Sequence, residues 1–131
     1  MEHFADRLAG RVRDRGNPVL VGLDPRLDDL PLRLRPKGDE AVARASAYSH
    51  FCREVIDVVA PLVAAVKPQS AFFEALGPAG APALAEVIGY SRENDLLVIL
   101  DGKRNDIGST ALAYAEAYLG LPPSKIGRAH V

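Results

Sequence analysis

The chain has 131 residues, of which 48% are hydrophobic and 25% are charged, and its formal net charge at pH 7 is −1. This composition is typical of a single globular domain, and the near-neutral charge argues against a nucleic-acid partner. The single cysteine, Cys52, cannot form an internal disulfide, and no apolar run reaches the roughly 20 residues that span a bilayer. Because the first residues lack a basic and apolar leader, we expect a cytoplasmic protein without membrane contact.

The chain begins with a predicted helix and a predicted strand. Apolar residues recur at helical spacing over 4–12, and Gly16-Asn17-Pro18 ends that pattern. The apolar run at 19–23 then predicts a strand that stops at Asp24. Residues 26–40 are rich in Pro, Arg and Asp, which predicts an irregular loop.

Helices and strands continue to alternate along the rest of the sequence. Apolar spacing and turn residues predict a helix at 40–59, a strand at 62–66, a turn at 77–82, a helix at 83–93, a strand at 96–100 and a helix at 107–119. Residues 70–74, between the second strand and the turn, are interpreted as loop and packing residues. Such alternation is typical of parallel βαβ units in an α/β fold.

Each predicted strand is followed by an ionisable residue, namely Asp24, Lys67 and Asp101. Because the carboxyl ends of parallel strands meet at one edge of the sheet, these side chains should converge on one crevice. The third strand also leads into Lys103 and Asp106, which place an amine and a second carboxylate on the same loop. We therefore predict a functional site at this edge.

The pattern alone leaves two architectures open, a doubly wound open sheet and a (β/α)8 barrel. The loop at 22–26 lacks the glycine spacing of a dinucleotide or triphosphate site, which favours the barrel. A barrel needs about 250 residues and eight strands, whereas the sequence predicts three strands. The chain should therefore represent less than half of a barrel.

The last seven residues, 125–131, continue neither a helical nor a strand pattern. One choice of codons for them resembles a common short-read sequencing adapter. We therefore expect residues 1–124 to be the N-terminal part of a single domain and 125–131 to be a non-native tail.

Three motifs together carry a family resemblance: Gly22-Leu-Asp24, Val66-Lys-Pro-Gln-Ser-Ala-Phe-Phe-Glu74 and Asp101-Gly-Lys-Arg-Asn-Asp-Ile-Gly-Ser-Thr110. The last contains an Asp-x-Lys-x-x-Asp core. In these motifs the chain resembles the N-terminal half of orotidine 5′-phosphate decarboxylases of the longer bacterial subgroup. The resemblance implies a TIM barrel, of which this chain carries about the first three βα units.

The resemblance also implies a reaction, the decarboxylation of orotidine 5′-phosphate to UMP in the last step of de novo pyrimidine nucleotide synthesis. It implies no metal and no organic cofactor. Loss of carbon dioxide leaves a carbanion, which a fixed cation must stabilise. By the resemblance, Lys103 is that cation and the proton donor, and Asp101 lies beside the substrate carboxylate and orients Lys103.

The remaining site residues follow from the same resemblance. Asp24 and Lys67 would bind the ribose hydroxyls. Asp106 and Thr110 would reach in from the opposite subunit, which implies a homodimer. The phosphate-binding and pyrimidine-reading groups of the family come from later strands, so we expect the 131-residue chain to be inactive alone and to fold marginally.

Two other functions stay open at this point. One is a related magnesium-dependent barrel, a sugar-phosphate decarboxylase or hexulose-phosphate synthase, against which the sequence at 102–108 argues. The other is a non-catalytic nucleotide-binding remnant.

Overall fold

The computed structural model of the chain describes residues 2–104 and 107–119. Five helices and three strands follow one another along these residues in the order α1 (Phe4–Arg15), β1 (Leu20–Leu23), α2 (Ala41–Val59), β2 (Ala65–Pro68), α3 (Ser70–Glu74), α4 (Gly80–Glu93), β3 (Leu97–Val98) and α5 (Gly108–Leu119). No helix among the described residues is both long enough and apolar enough to cross a membrane.

The predicted end of α1 is confirmed. Gly16 follows its last residue in the left-handed conformation, with φ 69°, and donates its N–H to the carbonyl of Arg13 at 3.2 Å. Glycine suits this position because it has no Cβ to clash in that conformation. The chain changes direction at this turn and continues into β1.

The three strands form a parallel sheet in the order β1-β2-β3. Gly22 of β1 lies opposite Lys67 of β2, and Val66 of β2 lies opposite Val98 of β3. All three strands therefore end at the same edge, as the sequence predicts.

The second strand lies further along the chain than predicted, at Ala65–Pro68 instead of 62–66. The amides of Leu62 and Val63 both bond to the carbonyl of Val59 and so extend the turn that ends α2. In consequence, Lys67 lies inside the strand, not after it.

The third strand is assigned only to Leu97–Val98, but its pairing with β2 continues to Asp101. The amide of Ile99 bonds to the carbonyl of Val66 at 3.0 Å, and the amide of Asp101 bonds to the carbonyl of Pro68 at 2.9 Å. The main chain of Asp101 is thus held by the sheet.

Two segments interpreted as irregular are ordered. Residues 26–40 contain two 3₁₀ turns, at Leu27–Asp29 and Leu32–Leu34, and these turns bury Leu30 and Leu34. Residues 70–74 form the short helix α3, whose Ser70 and Phe73 are fully buried.

The core lies where α2 and α4 pack against each other and against the sheet. Its members include Cys52 and Ile56 of α2, Val66 of β2, Phe73 of α3 and Val87 of α4, each essentially inaccessible to solvent. Well-packed apolar contacts of this kind fix the relative positions of the strands, and so of the side chains at their ends.

Candidate active site

Asp101 is the centre of an ionic cluster at the carboxyl edge of the sheet. Its Oδ2 accepts a hydrogen bond from Lys67 Nζ at 3.2 Å, and its Oδ1 accepts one from Lys103 Nζ at 2.5 Å. The carboxylate is 16% exposed, whereas the Lys103 side chain is 80% exposed. One partly buried carboxylate therefore holds two ammonium groups, one of which faces solvent.

The two lysines lower the pKa of the Asp101 carboxyl below its ordinary value, the hydrogen bond from Lys103 contributing most and that from Lys67 next. Hydrogen bonds and positive charges both favour the ionised form of a carboxyl group. At neutral pH the three groups together carry a net positive charge. Such a cluster can bind an anion or stabilise negative charge that develops during a reaction.

Main-chain hydrogen bonds hold Asp101 from both sides. Besides the bond from the Asp101 amide to Pro68, the amide of Ser70 donates to the carbonyl of Asp101 at 3.0 Å. A Cβ placed on the next residue, Gly102, would lie 3.4 Å from the Ser70 hydroxyl. The loop after β3 therefore passes close to the start of α3.

Asp24 follows β1 directly and is exposed. Its carboxylate turns back toward Gly22, with Oδ2 3.5 Å from the position that a Cβ on Gly22 would take. Because Gly22 lies opposite Lys67 in the sheet, Asp24 lies at the same edge as the cluster. Thr110 lies in the first turn of α5 and is exposed, and the predicted Asp106 lies outside the described residues.

Two residues near the cluster were not predicted as parts of a site. Arg104, next to Lys103, forms an ion pair with Glu74, the last residue of α3. The guanidinium also lies over the ring of Tyr114 in α5, 5.6 Å from its centre. The only sequence signal was an arginine beside the motif lysine and an acidic residue ending the preceding motif, which is too weak to pair them.

The fold and the site define a class of protein, the α/β proteins in which functional side chains lie at the carboxyl ends of parallel strands. Residues 18–125 match the sequence model of the Orotidine 5′-phosphate decarboxylase / HUMPS family. The chain belongs to this family.

Relatives and solved structures agree with this assignment. An orotidine 5′-phosphate decarboxylase of Rhodopirellula baltica is 55% identical over 122 residues, which are 92% of this chain and 40% of the relative. A crystal structure of a candidate orotidine 5′-phosphate decarboxylase from Streptomyces avermitilis is 40% identical, with a TM-score of 0.75 over 90% of this chain and 39% of that one. The Leishmania donovani OMP decarboxylase is 34% identical, with a TM-score of 0.66 over 88% and 39%.

These likenesses confirm the predicted fold class. The parallel sheet described above corresponds to neighbouring strands of a TIM barrel. The chain spans about 40% of the length of the curated relatives that it matches.

Proposed function

We propose that this chain is part of an orotidine 5′-phosphate decarboxylase, which converts orotidine 5′-phosphate to UMP in the last step of de novo pyrimidine nucleotide synthesis. The observation that carries the proposal is the Asp101 carboxylate held by Lys67 and Lys103 at the strand ends of a chain that belongs to this family. The name of the 55% identical relative supports the same substrate.

The cluster suits the chemistry of this reaction. When the bond between the ring carbon and the carboxylate breaks, its electron pair stays on a carbon that delocalises charge poorly. An ammonium fixed beside that carbon stabilises the charge as it develops and can then donate a proton to the same electron pair. Lys103 fills this role in the proposal, oriented by its 2.5 Å bond to Asp101. The reaction then needs no metal and no organic cofactor.

The other site residues have proposed roles in binding. Asp24 and Lys67, at the ends of adjacent strands, are proposed to bind the ribose hydroxyls of the substrate. Asp106 and Thr110 are proposed to complete the site of a second subunit, so the active form is a homodimer.

The 131-residue chain is proposed to be inactive alone. Among the described residues, β1 and β3 are the edge strands of the sheet, and Val19 and Leu20 beside the β1 edge are exposed. Unpaired edges and exposed apolar side chains favour association with other chains. We also propose that residues 1–124 are the N-terminal part of a single barrel domain and that 125–131 is a non-native tail, in line with a family match that ends at 125.

A chimeric enzyme tests the proposed function. Residues 1–119 of this chain would replace the matched region of the R. baltica decarboxylase, so that the relative supplies the rest of the barrel. We expect the chimera to consume orotidine 5′-phosphate, followed by its ultraviolet absorbance, and the 131-residue chain to show no turnover. Lys103→Ala should lower kcat by about a hundredfold or more, the loss typical of removing a group that stabilises the transition state.

The control is Lys37→Ala, which removes an exposed lysine from the 26–40 segment and should leave kcat unchanged. A folded chimera in which Lys103→Ala turns over as fast as the parent would contradict the proposal. Magnesium-dependent turnover of a pentulose or hexulose phosphate, without turnover of orotidine 5′-phosphate, would assign the chain to the other activity in the family's name. Nucleotide binding without any turnover would support a non-catalytic role.

A further inference from the structure

Arg104 links three elements around the ionic cluster. Its Nη2 donates to Oε1 of Glu74, and its Nη1 donates to the main-chain carbonyl of Lys103 at 3.2 Å. Its guanidinium carbon lies 5.6 Å from the centre of the Tyr114 ring, a distance typical of a cation–π contact. The side chain is only 23% exposed, so its position is fixed by its neighbours.

These contacts close a ring of interactions that contains Lys103. The amide of Ser70, at the start of α3, bonds to the carbonyl of Asp101. Glu74, at the end of the same helix, bonds to Arg104, which bonds to the peptide of Lys103. The Lys103 ammonium completes the ring at the Asp101 carboxylate. The short helix α3 thus supports both residues of the pair, one at each of its ends.

Lys103 needs such support because its side chain is mostly exposed. A lysine carries a compact charge on a flexible four-carbon stem, and an exposed ion pair by itself restrains such a stem weakly. A group that must meet developing charge has to be held within about 0.5 Å of its working position. Fixing the main chain at the base of the stem narrows the region that the ammonium can reach.

We propose that Arg104, anchored by Glu74, is a positioning residue that directs Lys103 toward Asp101. The arrangement of the ion pair is independent of the substrate, whereas the effect on catalysis rests on the proposed decarboxylase function. Arg104 acts through Lys103 and is assigned no contact with substrate.

The chain offers a matched control with the same chemistry. Arg53 of α2 donates to Glu86 of α4 at 2.9 Å, and its guanidinium carbon lies 4.4 Å from the centre of the Tyr90 ring. In the part of the chain that the structure describes, the hydrogen bonds and ring contacts of this arginine, glutamate and tyrosine join α2 to α4 and do not reach the strand-end cluster. Arg53→Gln and Glu86→Gln therefore remove the same kinds of group from a place that should not affect Lys103.

The decisive measurement is the pKa of Asp101 in the 131-residue chain labelled with ¹³C at the aspartate carboxyl groups. Asp101→Asn identifies the resonance by its loss. We expect Arg104→Gln and Glu74→Gln each to move the pKa of Asp101 up toward its ordinary value, because Lys103 no longer stays close. Arg53→Gln and Glu86→Gln should leave it unchanged.

Glu74→Gln separates positioning from simple charge. Through space alone, the loss of a carboxylate would lower the pKa of Asp101, because ionisation would meet less repulsion. Loss of positioning moves that pKa in the opposite direction. The residue is partly exposed and glutamine is nearly isosteric, so the variant should keep its fold, which far-UV circular dichroism would check.

An Asp101 pKa that stays constant or falls in folded Glu74→Gln would overturn the proposal. In the chimera, Arg104→Gln should lower kcat about tenfold or more with little change in KM, and Arg104→Lys should recover only part of the loss, since lysine lacks the planar fork of arginine. If the Asp101 pKa rises as expected but the parent chimera does not turn over orotidine 5′-phosphate, the positioning role stands and the proposed function fails.

Discussion

Gly80 begins α4 at the place where this helix crosses α3. A Cβ at this residue would lie 1.7 Å from the carbonyl oxygen of Phe73, whereas Cβ atoms essentially never come within 3.0 Å of such a neighbour. Because the obstructing atom belongs to the main chain, no change of rotamer relieves the clash. We predict that Gly80→Ala destabilises the fold by about 1–3 kcal/mol, the usual cost of adding a methyl group to a well-packed interior.

The same substitution nine residues later should have the opposite effect. Gly89 lies in the same helix, and a Cβ there would meet no atom within 4 Å. Alanine is the better helix former by about 0.8–1 kcal/mol, so Gly89→Ala should stabilise the protein by roughly that amount. A comparison of the two variants therefore separates the effect of steric crowding on stability from the effect of helix propensity.

Urea-dependent pulse proteolysis at low micromolar protein concentration would measure both variants while limiting association of the free sheet edges. We expect the urea midpoint to fall for Gly80→Ala and to rise for Gly89→Ala, relative to the parent chain. A Gly80→Ala variant as stable as the parent would show that α3 and α4 do not approach as closely as described.

Two further predictions concern pH. Because the pKa of Asp101 is lowered in the folded state, its contribution to stability is present above the ordinary carboxyl pKa and is lost as pH falls through the lowered value. Asp101→Asn should therefore flatten the decline of the urea midpoint below about pH 5. If the urea midpoint of the variant declines as steeply as that of the parent, the ion pairs of Asp101 are contradicted. Burial, followed by the charge of Asp24, raises the pKa of the Cys52 thiol from 9.0 to about 12, so its contribution to stability should be lost as pH rises between these values. At about pH 8, iodoacetamide should label Cys52 only when the chain unfolds, and equal rates with and without urea would refute its burial.

The positions of the elements could be predicted wherever a local signal ends them. The end of α1 could be predicted because it depends on a single residue, Gly16, which adopts the left-handed conformation. The shift of β2 to Ala65–Pro68 could not be predicted, because residues 62–66 are as apolar as the residues of a buried strand. Side chains of Arg15 and Asn17 bond to the carbonyls of Val63 and Leu62, and these long-range contacts hold the chain in a turn there.

The geometry of the cluster was predictable only as far as topology determines it. Because β2 and β3 are neighbouring parallel strands, Lys67 and Asp101 lie at one edge of the sheet regardless of their side-chain conformations. Topology does not determine the orientation of an arginine side chain in a loop. The pairing of Arg104 with Glu74 depends on α3, a helix of five residues that no periodic pattern could have indicated.

On the proposed function, the charge of Asp101 opposes the bound substrate more than it opposes the transition state. Asp101 shares its two oxygen atoms between Lys67 and Lys103, so these three groups carry one excess positive charge. A substrate carboxylate entering beside Asp101 would neutralise that charge but would meet a like charge at short range. When carbon dioxide leaves, the negative charge moves to the ring carbon, where it faces Lys103 without that repulsion. The interaction is then stronger in the transition state than in the bound substrate, which is the condition for accelerating the reaction.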